Sequence, residues 1–338
     1  MLTLYTSDAN LKWTMSTLIL FIYEGGEMSN HWIIKLLFCM LAMGCAACAQ
    51  AELIEQDLDL PTCHLHLHRT DANIDTSRPL FVMMEGVPLS AMIYRSLALT
   101  LAEQLDAQSI LIDFPGVGKS FLKGAQYGWP EQRECLRSYL SQLPPHVVVA
   151  SDIALPVAAP LLLENIPIRG MVISNSVIKA SVTKPPFPLS FFRCCPQVAL
   201  FFSAITPGFI LQNQIMQVGI GRAEFVDEAE ISILSAEMQT NGFSGLAKIM
   251  TDIALDEATD EEISAGLSTN KPQLFLWGES DPALGDQYRY LPAFHDHQKL
   301  VLYQDGRHFL MLDHYQEMAA EIELWYKKQF SVDVNAQD

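Results

Sequence analysis

Residues 147–158 read VVVASDIALPVA, an apolar β-branched run that continues into a polar pair and then into a stretch of small and apolar residues. The polar pair is Ser151 and Asp152, which lie where a buried strand would turn into a helix. At such a turn the strand and the helix nearly collide, so small residues are needed two positions before and two positions after the presented side chain. Asp152 has an alanine at both positions, whereas Ser151 has Val149 and Ile153. The stretch therefore predicts a strand–turn–helix that presents Asp152.

Two more polar residues follow strand-like runs further along the chain. Asp281 lies in LFLWGESDP, and His308 lies in QDGRHFLMLDH. A nucleophile at a strand–helix turn, then an acid, then a histidine is the chain order of one class of hydrolytic triad. We therefore expect Asp152, Asp281 and His308 to meet in one site.

The chain alternates strand-like and helical patterns from about residue 60 onward. Short apolar runs bounded by turn residues, which are typical of buried parallel strands, occupy residues 80–84, 109–113, 146–150, 170–174, 273–277 and 300–303. Residues 63–69 alternate with period two and indicate an edge strand. Amphipathic segments at 92–105, 132–143, 153–164 and 314–330 indicate helices between them. This alternation predicts an α/β fold with a doubly wound, mostly parallel sheet.

Residues 183–268 break this alternation. The segment opens with a stretch rich in proline and phenylalanine and continues with amphipathic, acidic helical patterns. We interpret it as a helical cap inserted into the sheet domain, whose two parts are then residues 50–182 and 269–338.

Five motifs in a fixed order resemble one superfamily. The residues are EGVP at 85–88, DFPGVGKS at 113–120, ASDIALPVA at 150–158, WGESDP at 277–282 and GRHF at 306–309. They are similar to the HGxP loop, the DxPGxGxS turn, the GHDWGAPVA elbow, the WGxxDP acid turn and the GHF histidine turn of the α/β-hydrolase superfamily. The elbow resembles its epoxide hydrolase and haloalkane dehalogenase branch. The resemblance covers about residues 60–330.

This resemblance implies a covalent mechanism. Asp152 would attack a saturated carbon of a small apolar epoxide or haloalkane and form an ester. His308 would then activate a water molecule, with Asp281 orienting the imidazole. The backbone N–H groups of Val87 and Ile153 would bind the oxyanion.

Several positions depart from the family pattern. The histidine of the HGxP loop is replaced by Glu85, which is either an auxiliary acid or a partner of nearby backbone. Residues 183–268 contain no Tyr, His or Trp, so the group that assists the leaving atom is not assigned. Two alternatives stay open: an esterase or other acyl hydrolase that uses Ser151, and a non-catalytic ligand-binding member of the fold.

Composition narrows the possible partners. The chain has 338 residues and a formal net charge of −18, which disfavours binding to nucleic acid phosphates. His64, His66 and His68 alternate along one strand, and we interpret them as a solvated edge strand rather than as a metal site. No metal or organic cofactor is expected.

The N-terminal region indicates export. Residues 28–49 carry one lysine, an apolar run and a small-x-small site before Gln50, which is typical of a signal peptide. Residues 1–27 are interpreted as the product of a mis-called start. The sequence therefore predicts a secreted or periplasmic protein with no stable membrane span after cleavage. Lipoprotein anchoring at Cys45 is an alternative.

Four cysteines follow the signal peptide: Cys63, Cys135, Cys194 and Cys195. An oxidising compartment would allow pairing, but the sequence does not give the connectivity. The adjacent pair, Cys194 and Cys195, is not expected to form a bond within itself, and simple burial is its plainest interpretation. The sequence also leaves the oligomeric state open.

Overall fold

The computed structural model of the chain describes residues 53–240, 243–291 and 296–330. The predicted signal peptide at 28–49, the mis-called start at 1–27 and the alternative anchor at Cys45 lie outside these residues.

A nine-stranded sheet forms the centre of the fold. Its order is β1-β2-β4-β3-β6-β7-β8-β9, and the short β5 pairs with β2. The strands are β1 Ile54–Asp59, β2 Cys63–Arg69, β3 Leu80–Met84, β4 Gln108–Ile112, β5 Phe121–Leu122, β6 His146–Asp152, β7 Ile168–Ser176, β8 Gln273–Gly278 and β9 Gln298–Tyr303. Along the spatial order from β4 to β9, every pair of neighbouring strands is parallel. The pairs that β2 makes with β1, β4 and β5 are antiparallel. The predicted mostly parallel sheet is confirmed.

Helices cover both faces of the sheet. They are α1 Arg95–Leu105, α2 Trp129–Leu140, α3 Ala154–Leu161, α4 Leu189–Cys194, α5 Pro196–Ile205, α6 Gly208–Gly219, α7 Glu228–Thr240, α8 Ser244–Asp252, α9 Glu257–Leu267, α10 Leu310–Asp313 and α11 Tyr315–Phe330. Buried side chains of α1 and α11 join one apolar cluster, and those of α2, α3 and α9 join another. Each cluster packs on one face of the sheet, which makes the sheet doubly wound.

The prediction that residues 63–69 form the edge strand is wrong. Strand β1 pairs with β2 from Ile54, opposite Arg69, to Asp59, opposite His64, and so forms the edge itself. Its sequence IEQDLD has one β-branched residue, Ile54, and three acids, so it lacks the run of β-branched and aromatic residues by which strands are recognised. Because β1 pairs along its outer side, β2 is an interior strand of the sheet. Two of its histidines are buried, His66 with 1% and His68 with 4% of the residue exposed. The interpretation of these histidines as a solvated edge is therefore also wrong.

Six helices, α4 to α9, connect β7 to β8. No single helix in the described ranges combines the length and the hydropathy that a bilayer crossing requires; α5 and α6 reach that threshold only as a pair bent by 108°.

One disulfide joins the sheet to a helix. Cys63 on β2 is bonded to Cys135 on α2, with 5.8 Å between their Cα atoms. Cys194 and Cys195 are free. The former is exposed and the latter is half-buried, so simple burial does not describe them, because α4 and its following turn lie on the surface.

Candidate active site

The turn between β6 and α3 presents Asp152. This residue ends β6 with φ = 51°, a left-handed conformation that is unusual for a residue with a side chain. Ala150 and Ala154 are fully buried on either side. Larger residues there would collide with the packed strand and helix, so the sterically tight turn fits the spacing seen in the sequence.

One oxygen of the Asp152 carboxylate is held by backbone amides. Its Oδ2 accepts a hydrogen bond from the Val87 N–H at 2.8 Å, and the Ile153 N–H also donates to this carboxylate. Gly86 makes this approach possible, because a Cβ atom at that position would lie 2.3 Å from Oδ2. The two amides named by the sequence analysis therefore converge on Asp152.

His308 follows β9 and is oriented by Asp281, which follows β8. The His308 Nδ1 lies 2.8 Å from the Asp281 Oδ2. The same Oδ2 accepts a hydrogen bond from the Asn175 amide at 2.8 Å, and Oδ1 accepts one from the Ala283 N–H at 2.7 Å. Asp281 is thus fixed on three sides, and the Nε2 of His308 is left for other contacts.

The carboxylates of Glu85 and Asp152 and the imidazole of His308 come together. One ligand-type atom of each residue lies within 4.8 Å of those of the other two. All three side chains are buried. The structure therefore brings Asp152, Asp281 and His308 into one site and adds Glu85 to it.

Charge in this buried site shifts the pKa values of its members. Burial alone would lower the pKa of His308, but the carboxylates of Asp281, Asp152 and Glu85 outweigh it and raise that pKa to about 10. Burial raises the pKa of Asp152, partly offset by His308 and the two amides. The pKa of Asp281 is lowered, because its partners, His308 first among them, outweigh burial. His308 is therefore cationic near neutral pH.

Glu85 is a second buried acid behind Asp152. Burial raises its pKa to about 7, and the nearby Asp152 charge adds to that effect. Its Oε2 accepts a hydrogen bond from the Ser151 hydroxyl. Its Oε1 has no hydrogen-bond partner among the described residues. Glu85 is thus a weaker acid than an exposed glutamate, although the charge of His308 opposes this effect.

Ser151 points away from the site. Its Oγ contacts the Tyr94 hydroxyl at 2.6 Å and donates to Glu85. Only 1% of the residue is exposed, and it is absent from the walls of the cavity that Asp152 and His308 line. The hydroxyl is therefore part of the buried network beneath the turn.

A cavity of about 380 Å³ opens over Asp152 and His308. Its walls are mainly apolar and include Val177, Phe187, Ile215, Val218, Met250 and Phe309. Three other polar side chains, those of Thr183, Lys184 and Gln214, reach it. No hydrogen bond of the Gln214 side-chain amide occurs within the described part of the chain, so this amide is available to a bound molecule.

Three residues that contact the site or the network beneath it were not predicted from the sequence: Asn175, Tyr94 and Gln214. Asn175 could have been noticed as a polar residue at the carboxyl end of a buried strand, where functional residues of parallel sheets collect. Tyr94 and Gln214 carry no such signal, because one lies in a turn of 3₁₀-helix and the other on a helix remote in sequence.

Neither a protein-family model nor a curated protein matches the sequence. Solved structures do match. A protein proposed to be an epoxide hydrolase from Pseudomonas aeruginosa has a TM-score of 0.65 at 14% identity, covering 82% of this chain and 97% of its own. A protein proposed to be a lipase from Acinetobacter baumannii also has a TM-score of 0.65, at 15% identity, covering 84% and 94%. A bromoperoxidase from Bacillus anthracis has a TM-score of 0.62 at 17% identity, covering 81% and 99%. These likenesses establish the α/β-hydrolase fold and leave the reaction to be argued from the site.

Proposed function

We propose that this protein is a hydrolase that opens small apolar epoxides or haloalkanes through an ester intermediate on Asp152. The observation that carries the proposal is the position of two side chains at the β6–α3 turn. Asp152 lines the cavity beside His308, with its carboxylate on the amides of Val87 and Ile153, whereas Ser151 is directed into the buried network.

The first step uses the free carboxylate oxygen. While Oδ2 stays on the amides, Oδ1 attacks a saturated carbon of the substrate and forms a C–O bond. The bond from that carbon to the halogen or epoxide oxygen breaks, and its electron pair leaves with that atom. The carboxylate becomes a neutral ester.

Esterification prepares His308 for the second step. The negative charge of Asp152 is one of the contributions that raise the pKa of His308, and the ester removes it. The pKa of the imidazole then falls. With an epoxide, its proton passes to the ring-opened alkoxide oxygen, which stays attached to the substrate; with a haloalkane, the proton is released to solvent as the halide departs. His308 becomes a neutral base at the time when a base is required.

The second step hydrolyses the ester. His308 Nε2 accepts a proton from a water molecule as the water oxygen attacks Cγ of Asp152, and Asp281 stabilises the imidazolium that forms. The developing negative charge lies on Oδ2, which already accepts from the Val87 N–H, while the Ile153 N–H donates to the same carboxylate. Collapse of this intermediate breaks the bond between Cγ and the substrate oxygen, which takes the imidazolium proton and leaves as an alcohol, or as a diol from an epoxide. The carboxyl group of Asp152 then gives its proton back to His308 and is again a carboxylate.

Gln214 is the best candidate for contacting the leaving atom. Gln214 lines the cavity and is half-buried, and its side-chain amide forms no hydrogen bond with any described residue. Lys184 also lines the cavity but is exposed. The N–H₂ group of Gln214 can donate to a halide or an alkoxide but cannot transfer a proton at neutral pH. A hydrogen-bond donor of this kind fits both leaving groups, and it lies in the segment 183–268, which contains no Tyr, His or Trp.

Substitutions at the two adjacent positions test the proposal against a serine mechanism. We expect Asp152→Asn to lower the turnover of 1,2-epoxyhexane or 1-bromohexane by at least about 10³-fold. Ser151→Ala should retain most of the activity, and a fluorophosphonate probe should not label the wild-type protein. Labelling at Ser151 would favour an acyl hydrolase. Saturable binding of the two substrates without any turnover by the wild type would instead favour a ligand-binding protein.

We propose further that the protein is exported. The Cys63–Cys135 disulfide supports this proposal, because such bonds persist in oxidising compartments. Expression of the full chain in a bacterial host, followed by fractionation and N-terminal sequencing, tests it. We expect periplasmic or extracellular protein that begins at Gln50. Cytoplasmic protein with its first 49 residues retained would contradict it.

A further inference from the structure

Three acids and three histidines face one another across the edge of the sheet. In the antiparallel pairing of β1 and β2, Glu55 lies opposite His68, Asp57 opposite His66 and Asp59 opposite His64. The six residues alternate along their strands, so all of them lie on one face. The β1–β2 edge is separated from β6, which carries Asp152, by two intervening strands, β4 and β3.

Three of these residues converge closely. One ligand-type atom each from Glu55, His66 and His68 lies within 4.8 Å of those of the other two. The two imidazoles meet edge to face, with 4.8 Å between ring centroids. Small rotations of side chains would bring such atoms to the ligand separations of a tetrahedral metal centre, in which each bond is about 2 Å long.

The imidazole of His66 is oriented as a metal ligand is. Its Nδ1 lies 2.8 Å from the Asp57 Oδ1, so a neutral ring that donates to Asp57 turns the lone pair of Nε2 toward Glu55, whose Oε2 is 3.7 Å away. That Nε2 is buried and has no hydrogen-bond partner among the described residues. A buried nitrogen without a partner is energetically unfavourable unless something binds it.

His68 completes the trio from the same face of the strands. It lies directly opposite Glu55 in the pairing of β1 and β2, and only 4% of it is exposed. Its imidazole is therefore held beside both Glu55 and His66.

We propose that Glu55, His66 and His68 form a binding site for a divalent transition metal of the zinc class, with Asp57 holding His66 from behind. Two imidazoles and one carboxylate are a ligand set that Zn²⁺ uses, with water completing the tetrahedron. The site joins the edge strand β1 to β2, so its effect is on the stability of that edge rather than on the chemistry at Asp152.

A lysine contacts one of the three proposed ligands, the carboxylate of Glu55. The Lys119 Nζ lies 3.0 Å from the Glu55 Oε2. Its side chain is about half exposed, 48%, and can swing into solvent. A bound metal ion would replace this ammonium group on Glu55, so Lys119 is a competitor of the metal. Removal of the lysine charge should therefore strengthen metal binding.

Titration of the tag-free, EDTA-dialysed protein with Zn²⁺ by calorimetry, and with Co²⁺ by visible absorption, tests the site. We expect one ion per chain, a tetrahedral Co²⁺ spectrum and a higher melting temperature with Zn²⁺. His66→Ala and His68→Ala should weaken binding by at least about 100-fold, and Asp57→Asn by about 10- to 100-fold. Lys119→Met should strengthen it.

Asp59→Asn is the matched control for Asp57→Asn, since this acid lies on the same strand face but pairs with Lys123 rather than with the trio, and it should leave the affinity within about twofold. Equal losses in Asp59→Asn and Asp57→Asn, or unchanged affinity in His68→Ala, would overturn the proposal. Where the histidine variants do not fold, two exposed positions still test the site. Lys119→Met should strengthen metal binding, and Glu55→Gln should weaken it.

Discussion

The carboxylate of Asp152 and the imidazole of His308 lie within 4.8 Å of each other, at the carboxyl ends of two strands that do not pair. Strands β7 and β8 separate them. Asp281, just after β8, bonds the imidazole, and Asn175, near the end of β7, donates to Asp281. The four side chains therefore come from four consecutive strands of the parallel sheet. Because these strand ends share one edge, residues far apart in sequence meet there.

Gly86 controls access to the amides beneath Asp152. In Gly86→Ala the new Cβ would lie 2.3 Å from the Asp152 Oδ2, so the carboxylate must leave the Val87 amide. We expect turnover to fall by about 10²- to 10³-fold, the effect of losing an oxyanion donor. Steady-state kinetics with 1,2-epoxyhexane would measure it. Gly124→Ala is the control, since no atom lies within 4 Å of a Cβ there. A Gly86→Ala enzyme with more than about a tenth of wild-type turnover would argue against the oxyanion site.

Gln214 should affect the bond-breaking step. We expect Gln214→Leu to lower kcat by about 10- to 100-fold, the value of a hydrogen bond to a charged group. The loss should be greater for a chloroalkane than for the matching bromoalkane, since chloride is the poorer leaving group. Gln217→Leu, on the exposed side of the same helix, is the control and should change kcat less than about twofold. Equal effects on both haloalkanes would place the role of Gln214 outside that step.

The protonation of His308 should make stability depend on pH. In the unfolded chain the pKa is near 6.5, and in the folded protein it is about 10. Between these values the folded state binds more protons, so the free energy of unfolding contributed by His308 falls as the pH rises. This contribution is full below pH 6.5 and is lost above pH 10. Urea unfolding of wild type and His308→Gln at several pH values would measure it. A difference between the two proteins that stays constant from pH 6 to pH 10 would contradict the shift.

Glu85 should raise the pKa of His308 without itself reacting with the substrate. Its charge is one of the contributions that raise the pKa of His308, so Glu85→Gln should lower that pKa. The acid limb of the kcat profile should then move to lower pH. Glu103→Gln makes the same charge change on the exposed face of α1 and should leave the profile in place. A profile of Glu85→Gln that superimposes on the wild type would remove this role.

The β6–α3 turn could be predicted from the sequence because its rule is local. Steric crowding requires the two alanines around Asp152, and that requirement can be read from three positions. The apolar runs of β3, β6 and β8 are equally local signals, since strands buried on both faces need continuous apolar residues.

The partners of the site could not be predicted, because their contacts depend on distant elements. Asn175 meets Asp281 only after β7 and β8 pair, and Gln214 reaches the cavity only through the packing of α6. Strand β1 was missed for a related reason. Its acids face histidines of β2, so what pairs the strands is partly electrostatic and leaves no apolar pattern.

The most direct measurement of the central claim is intact-mass analysis of His308→Gln mixed with 1-bromohexane, followed by peptide mapping. This variant lacks the base for ester hydrolysis, so the alkyl group should stay on the protein as one adduct on the peptide that contains Asp152. Wild type under the same conditions should turn over without accumulating it. An adduct on Ser151, or no adduct while the wild type hydrolyses the same substrate, would contradict the ester mechanism.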